Sequence, residues 1–174
     1  MDLIIAHNVI QGGGINIVCS FIEYLIKKDK KTIVFLPNLP VYKELVKSLS
    51  TANLLDVHWA PTGISRYAYK LRFSKLLRSI ILNHQVSKVY SLGNIAYKTN
   101  NVDQVVLMQN AFSTLDDERI WNKFSYRDRI YLKLMQFSIL NNLKYASKIV
   151  VQTNTQKLAL QKRLKIANNK IVIV

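Results

Sequence analysis

A chain of 174 residues, 49% hydrophobic and 20% charged, is long enough for one domain with a sizeable core and too apolar to be disordered. Its single cysteine, Cys19, excludes a disulfide framework and fits a reducing compartment, where it reads as a small core residue. Twenty-five Lys and Arg against ten Asp and Glu give a net charge of +15, which favours anionic partners such as nucleic acid, acidic lipid or phosphorylated ligands without choosing among them.

In chain order, the apolar run 2–6 is a strand, and 14–28 is a helix with Ile15, Val18, Cys19, Ile22 and Ile26 at helical spacing and Lys27 and Lys28 in its last turn. Segment 31–36 is β-branched and ends at Pro37, as a buried strand does. Segment 40–50 starts with a proline suited to a helix N-terminus. The expected pattern continues with a strand at 54–60, a helix at 65–83, strands at 87–92 and 104–108, and a long helix over 116–146 broken near Ser125. It ends with a strand at 148–152, a helix at 154–164 and a strand at 170–174.

Alternating strands and helices, with nearly all-apolar strands, predict an α/β fold: a Rossmann-like, doubly wound, mainly parallel sheet of about seven strands. Ligands of such sheets bind beyond the carboxyl ends of the strands. The N-terminus lacks a basic leader, so no signal peptide is expected. No apolar run approaches the ~20 residues of a membrane span.

Three of the five glycines stand together at Gly12, Gly13 and Gly14, between the first strand and the first helix. A dinucleotide fingerprint would need a third glycine where Ile17 stands, and the second strand ends in Pro37-Asn38 where an acidic ribose ligand belongs. No Gly-Lys-Ser/Thr run completes a P-loop. Two uses remain open: a tight strand-to-helix turn, or a close backbone approach to a phosphate at a helix N-terminus.

The stretches "QGGGINIVCSFIEYLIKKDKKTIVFLPN", "VYSLGNIA", "VVLMQNAF" and "YASKIVVQTNTQKLALQKRLKIANNKIVIV" carry a resemblance. In this order and spacing they resemble the N-terminal lobe of nucleotide-sugar glycosyltransferases of the GT-B fold, especially the large family-four group of retaining enzymes. The resemblance runs over essentially the whole chain. It implies transfer of a sugar from a nucleotide-sugar donor to an acceptor with retention at the anomeric carbon. It implies no cofactor and no metal, the nucleotide-sugar being a co-substrate.

In the resembled family the N-terminal lobe holds the acceptor, and its glycine-rich loop faces the donor across a cleft. Gly12, Gly13 and Gly14 match that loop, with Asn16 beside them. Gly93 and Asn94, and Gln109 and Asn110, match strand ends on the acceptor side, and His7, just after the first strand, joins them as a candidate. Many relatives carry a histidine after the strand matched by 104–108. Gln109-Asn110 stands there in this chain, so a histidine-dependent role does not carry over. Amide side chains donate to and accept from sugar hydroxyls, and loop capping is their alternative use. His58 and His84 read as structural, and Asp116, Asp117 and Glu118 suit a helix start.

The family's C-terminal lobe supplies most donor recognition. The chain stops at Val174, at the matched interdomain boundary, so 1–174 is expected to be one lobe of a longer chain or of a split pair.

Arg66, Lys70, Arg72, Lys75 and Arg78 alternate with aromatic and aliphatic residues, as in a basic amphipathic helix on an anionic bilayer, and segment 119–133 repeats the pattern. A solvated face over a packed apolar side is the alternative. The expected partners are therefore a nucleotide-sugar donor, a glycan or polyprenyl-linked acceptor, an anionic membrane surface and the second lobe. The expected place is the cytoplasm, peripheral on the inner face of the membrane, in surface-polysaccharide synthesis. A non-catalytic basic subunit and a nucleic-acid-binding module are the competing classes. No zinc finger, RNA-recognition motif or basic zipper supports the latter.

Overall fold

The computed structural model describes residues 1–49, 53–61, 65–99, 101–109, 114 and 118–174, and their side chains except those of 65–71, 119 and 168. Seven strands form one sheet: β1 (Asp2–Ile5), β2 (Thr32–Pro37), β3 (Leu55–Ala60), β4 (Lys88–Ser91), β5 (Asp103–Met108), β6 (Lys148–Val151) and β7 (Ile171–Ile173). All are parallel, in the order β3-β2-β1-β4-β5-β6-β7. The order reverses between β1 and β4, which opens a crevice beyond their carboxyl ends.

The principal helices are α1 (Gly13–Lys27), α2 (Pro40–Leu49), α3 (Ser65–Asn83), the short α4 (Glu118–Trp121), α5 (Tyr126–Asn142) and α6 (Asn154–Leu164). The expected break at Ser125 is the start of α5: the Ser125 hydroxyl accepts from the Asp128 N–H at 3.2 Å and donates to the Asp128 carboxylate at 2.6 Å. Thr153 caps α6 in the same way, accepting from the Gln156 N–H at 3.2 Å, while the Gln156 carboxamide accepts from the Gln152 N–H. α1 begins one residue earlier than its apolar pattern predicts, so Gly13 and Gly14 are already helical.

The helices divide between the faces. α1 and α2 bury Val18, Ile22, Tyr42 and Leu45 on Ile4, Val34 and Leu36. α3 buries Phe73, Leu77, Ile80 and Ile81 on Leu3, Ile5, Ile33 and Phe35, the opposite side of the same strands. The register Ile5↔Ser91, Ser91↔Val106, Val106↔Ile149 carries that second side across the sheet, where Ile139 of α5, Leu143 of the 3-10 turn that follows it (Leu143–Tyr145) and Leu160 of α6 cover Val106, Ile149 and Ile171. On the α1 side, Leu107 of β5 still packs against the α1 cluster, while Val105 and Val150 are only half-buried.

Charge is sorted along the strand axis. Loops leading into the strands carry Lys28, Lys30 and Lys31 before β2, Lys144 before β6 and Lys170 before β7. Among the described residues, those next to the carboxyl ends, 6–12, 38–39, 61, 92–97, 109 and 152–153, include no Lys or Arg, and Lys98 lies further along the connection from β4 to β5.

Candidate functional site

The crevice at the strand-order reversal is a cleft of about 410 Å³. Its floor comes from the loop after β1 (Asn8 to Gln11), the loop after β4 (Gly93 to Ile95) and Gln109 after β5, with Met135 and Ile139 of α5 as one wall. Two amides brace these loops. Asn8 Nδ2 donates to the Gly93 carbonyl at 2.6 Å, and Asn94 Oδ1 accepts from the Gln109 N–H at 2.5 Å. Asn94 is in the left-handed region at φ 66°, a conformation asparagine tolerates better than most residues. From behind, the buried Tyr42 hydroxyl of α2 donates to the Val9 carbonyl at 3.0 Å and pins the first loop. Burial, and secondarily the Cys19 thiol, holds the Tyr42 phenol well above its ordinary pKa, so it stays a donor.

The three glycines divide their work. Gly12 caps α1 at φ 70°, where a side chain would be strained. A Cβ on Gly14 would meet Gln109 Oε1 at 2.6 Å and Val9 Cγ1 at 2.9 Å, so this glycine allows α1 to approach β5. A Cβ on Gly13 would meet nothing within 4 Å. Neither φ nor packing requires glycine there, and the position faces open space. No side chain caps the N-terminus of α1, and its first turn has no acidic residue. The helix therefore presents backbone N–H groups and the positive end of its dipole beside a cleft whose described lining includes no Lys or Arg.

Of the expected site residues, Gly93, Asn94 and Gln109 come together in the cleft, with Gly14 against Gln109. Asn110 lies outside the described residues. Asn16 is exposed beside Ile17 and Ser20 on the outer side of α1, away from the cleft lining. His7 is 7% exposed, packed on Phe73 with ring centroids 4.3 Å apart and within 3.4 Å of the Tyr97 hydroxyl, under α3 and not in the cleft lining. Asn8, Met135 and Ile139 complete the cleft without standing out in the sequence. Asn8 lies in the loop just beyond β1, three residues after its end, which is a usable signal. The two α5 residues are adjacent only in space. Arg72, Lys75 and Arg78 are exposed on α3, while the side chains of Arg66 and Lys70 lie outside the described ones.

Among the described residues no three His, Cys, Asp or Glu side chains are placed to hold a metal ion, and no helix is long and apolar enough to cross a membrane. No family model matches the chain, and no curated protein matches its sequence. Its fold matches solved structures along its whole length. Alr3699/HepE of Anabaena, solved in complex with UDP and glucose, aligns over 99% of this chain and 43% of its own at a TM-score of 0.59 and 11% identity. A glycosyltransferase from Rickettsia africae aligns over 99% of this chain and 42% of its own at a TM-score of 0.57 and 16% identity. The fold is thus the α/β, Rossmann-like fold of a glycosyltransferase lobe, and the chain spans about two-fifths of the length of these structures.

Proposed function

We propose that this chain is the acceptor-side lobe of a retaining GT-B glycosyltransferase that moves a sugar from a nucleotide-sugar donor to a lipid-linked glycan in surface-polysaccharide synthesis. The observation that carries the reading is the whole-length match to a protein solved with UDP and glucose, whose remaining length leaves room for a second lobe. The cleft fits that division of labour. Its described lining lacks the cations a diphosphate needs, so the second lobe supplies most donor contacts, while the N–H groups at Gly13 and Gly14 add a backbone contact from this side. Asn94, Gln109 and Asn8 are the amides placed to meet acceptor hydroxyls. The transfer needs no metal, and the lobe works on the cytoplasmic face of an anionic membrane, towards which Arg72, Lys75 and Arg78 supply charge.

The test is a panel of nucleotide-sugars titrated calorimetrically into the complete protein, second lobe included. Binding of a uridine or related diphosphate sugar, weakened by Gly13→Val, supports the reading. Absence of binding across the panel, with the protein folded, overturns it.

A further inference from the structure

α5 is apolar on two opposite sides. One side, with Ile139 buried and Met135 at the cleft, packs on the sheet. About half a turn of the helix away, Tyr126, Ile130, Leu134 and Phe137 follow one another at spacings of four, four and three residues and form a single stripe. They are 78%, 44%, 64% and 70% exposed. A solvated helix has polar residues there; this one places its largest apolar surface outward.

The stripe is framed by charge of one sign. Lys133 and Arg127 lie on its two flanks and Lys123 precedes the helix, all exposed. The one acid of the helix, Asp128, is held by Ser125. α3 lies on the same side of the sheet with its own exposed Arg72, Lys75 and Arg78, while its apolar residues Phe73 and Leu77 are already packed on the sheet. α3 therefore contributes charge to that side and α5 contributes apolar surface.

We infer that the outer stripe of α5 enters the interface of an anionic bilayer, the helix lying in the membrane plane. The combination of an apolar strip, a tyrosine at its border and flanking cations matches that environment. Nucleic acid accounts for the cations and leaves the strip in water. A second copy of this chain accounts for the strip and brings the cations against each other. The stripe is about 17 Å long, enough to lie along a headgroup layer.

The inference deepens the membrane part of the proposed function and stands apart from its donor chemistry. Because Met135 and Ile139 belong to the same helix, immersing its outer side holds the cleft one helix diameter, about 10 Å, above the lipid. That is the position from which an acceptor rooted in the bilayer presents its first sugars.

The complete protein is sedimented with vesicles of phosphatidylcholine containing phosphatidylglycerol, and with phosphatidylcholine alone. Three variants accompany it: Ile130→Ser/Leu134→Ser/Phe137→Ser, Arg72→Gln/Lys75→Gln/Arg78→Gln, and Phe137→Trp as a depth reporter. The expected result is salt-sensitive binding to the anionic vesicles only. The serine variant is expected to weaken it by about 100-fold or more and the α3 variant by about 10-fold. In the Phe137→Trp variant, acyl-brominated lipid is expected to quench the fluorescence that the substitution adds over the native protein. Because the serines replace exposed residues, circular dichroism is expected to be unchanged. Undiminished binding of the serine variant, or binding without quenching, overturns the α5 inference and leaves a purely electrostatic membrane contact. Tighter binding to random duplex DNA than to vesicles overturns it in favour of nucleic acid. Concentration-dependent dimerisation that the serine variant abolishes, with no vesicle binding, replaces the membrane with a second copy. Failure of the native protein to bind vesicles while it still binds a nucleotide-sugar removes the membrane and retains the transferase.

Discussion

The Asn8 carboxamide occupies the space a side chain at position 93 would fill, and from there donates to the Gly93 carbonyl at 2.6 Å. One contact thus joins the loops after β1 and β4 across the crevice. Gly93→Ala is expected to destabilise the protein by about 1–3 kcal/mol, because the new methyl and the Asn8 amide compete for one volume. Asn8→Gly should relieve most of that loss when combined with it. Urea unfolding of both single variants and the double variant measures the coupling, and simple additivity would refute this account of Gly93.

The glycine run should separate stability from binding. Gly12→Ala places a methyl at φ 70° and is expected to cost about 1 kcal/mol or more. Gly13→Ala meets no neighbour and replaces glycine at a helical position, so it should be neutral or stabilising by up to about 1 kcal/mol. The same substitution is expected to weaken donor binding several-fold in the complete protein. Thermal unfolding and calorimetry on the same samples report the two effects, and loss of stability at position 13 would contradict the open geometry.

Tyr42 makes stability fall in alkali. In the unfolded chain its phenol ionises near pH 10, whereas the folded protein keeps it protonated to higher pH. The unfolded state therefore binds fewer protons above that pH, and stability is intact below it and declines as pH rises, by up to about 1.4 kcal/mol per unit. Tyr42→Phe loses the bond to the Val9 carbonyl and should cost about 1 kcal/mol at neutral pH. The gap between variant and native protein should narrow between about pH 9 and pH 11 in urea titrations; a constant gap would show that Tyr42 is not the group involved.

Gln104 is fully buried and spans the backbone of one residue, its Oε1 accepting from the Tyr97 N–H at 2.8 Å and its Nε2 donating to the Tyr97 carbonyl at 2.6 Å. Gln104→Met keeps the volume and removes both bonds, so a loss of about 2 kcal/mol or more is expected. Proteolysis should then cut the 92–99 segment first. Equal resistance of that segment in both proteins would count against its being anchored through Gln104.

The strands and most helix ends are legible in the sequence because they depend on local chemistry: apolar runs closed by Pro37 and Pro61, a Ser125–Asp128 cap, a Thr153–Gln156 cap. The site is legible only where it hugs the chain. Gly93, Asn94 and Gln109 stand directly after strands, where parallel sheets gather their ligands. The direction of a side chain is less readable. His7 falls on the α3 side by strand alternation, and Asn16 on the outer side of α1 by helical phase. The α5 wall stays hidden because a helix apolar on two sides shows no single stripe in its sequence.

The thinly covered α1 side of β6 and β7 governs how the molecule opens. At β1 and β2 the fold is three layers thick; from β6 outward the described residues make two, and Val150 is left half-buried. β7 is three residues long, with Val172 and Ile173 40% and 42% exposed. The amide protons of β6 and β7 should therefore exchange through local fraying, and those of β1 and β2 only through global unfolding. The thin end of the sheet works as a margin that yields first, while the end carrying the glycine loop keeps its shape.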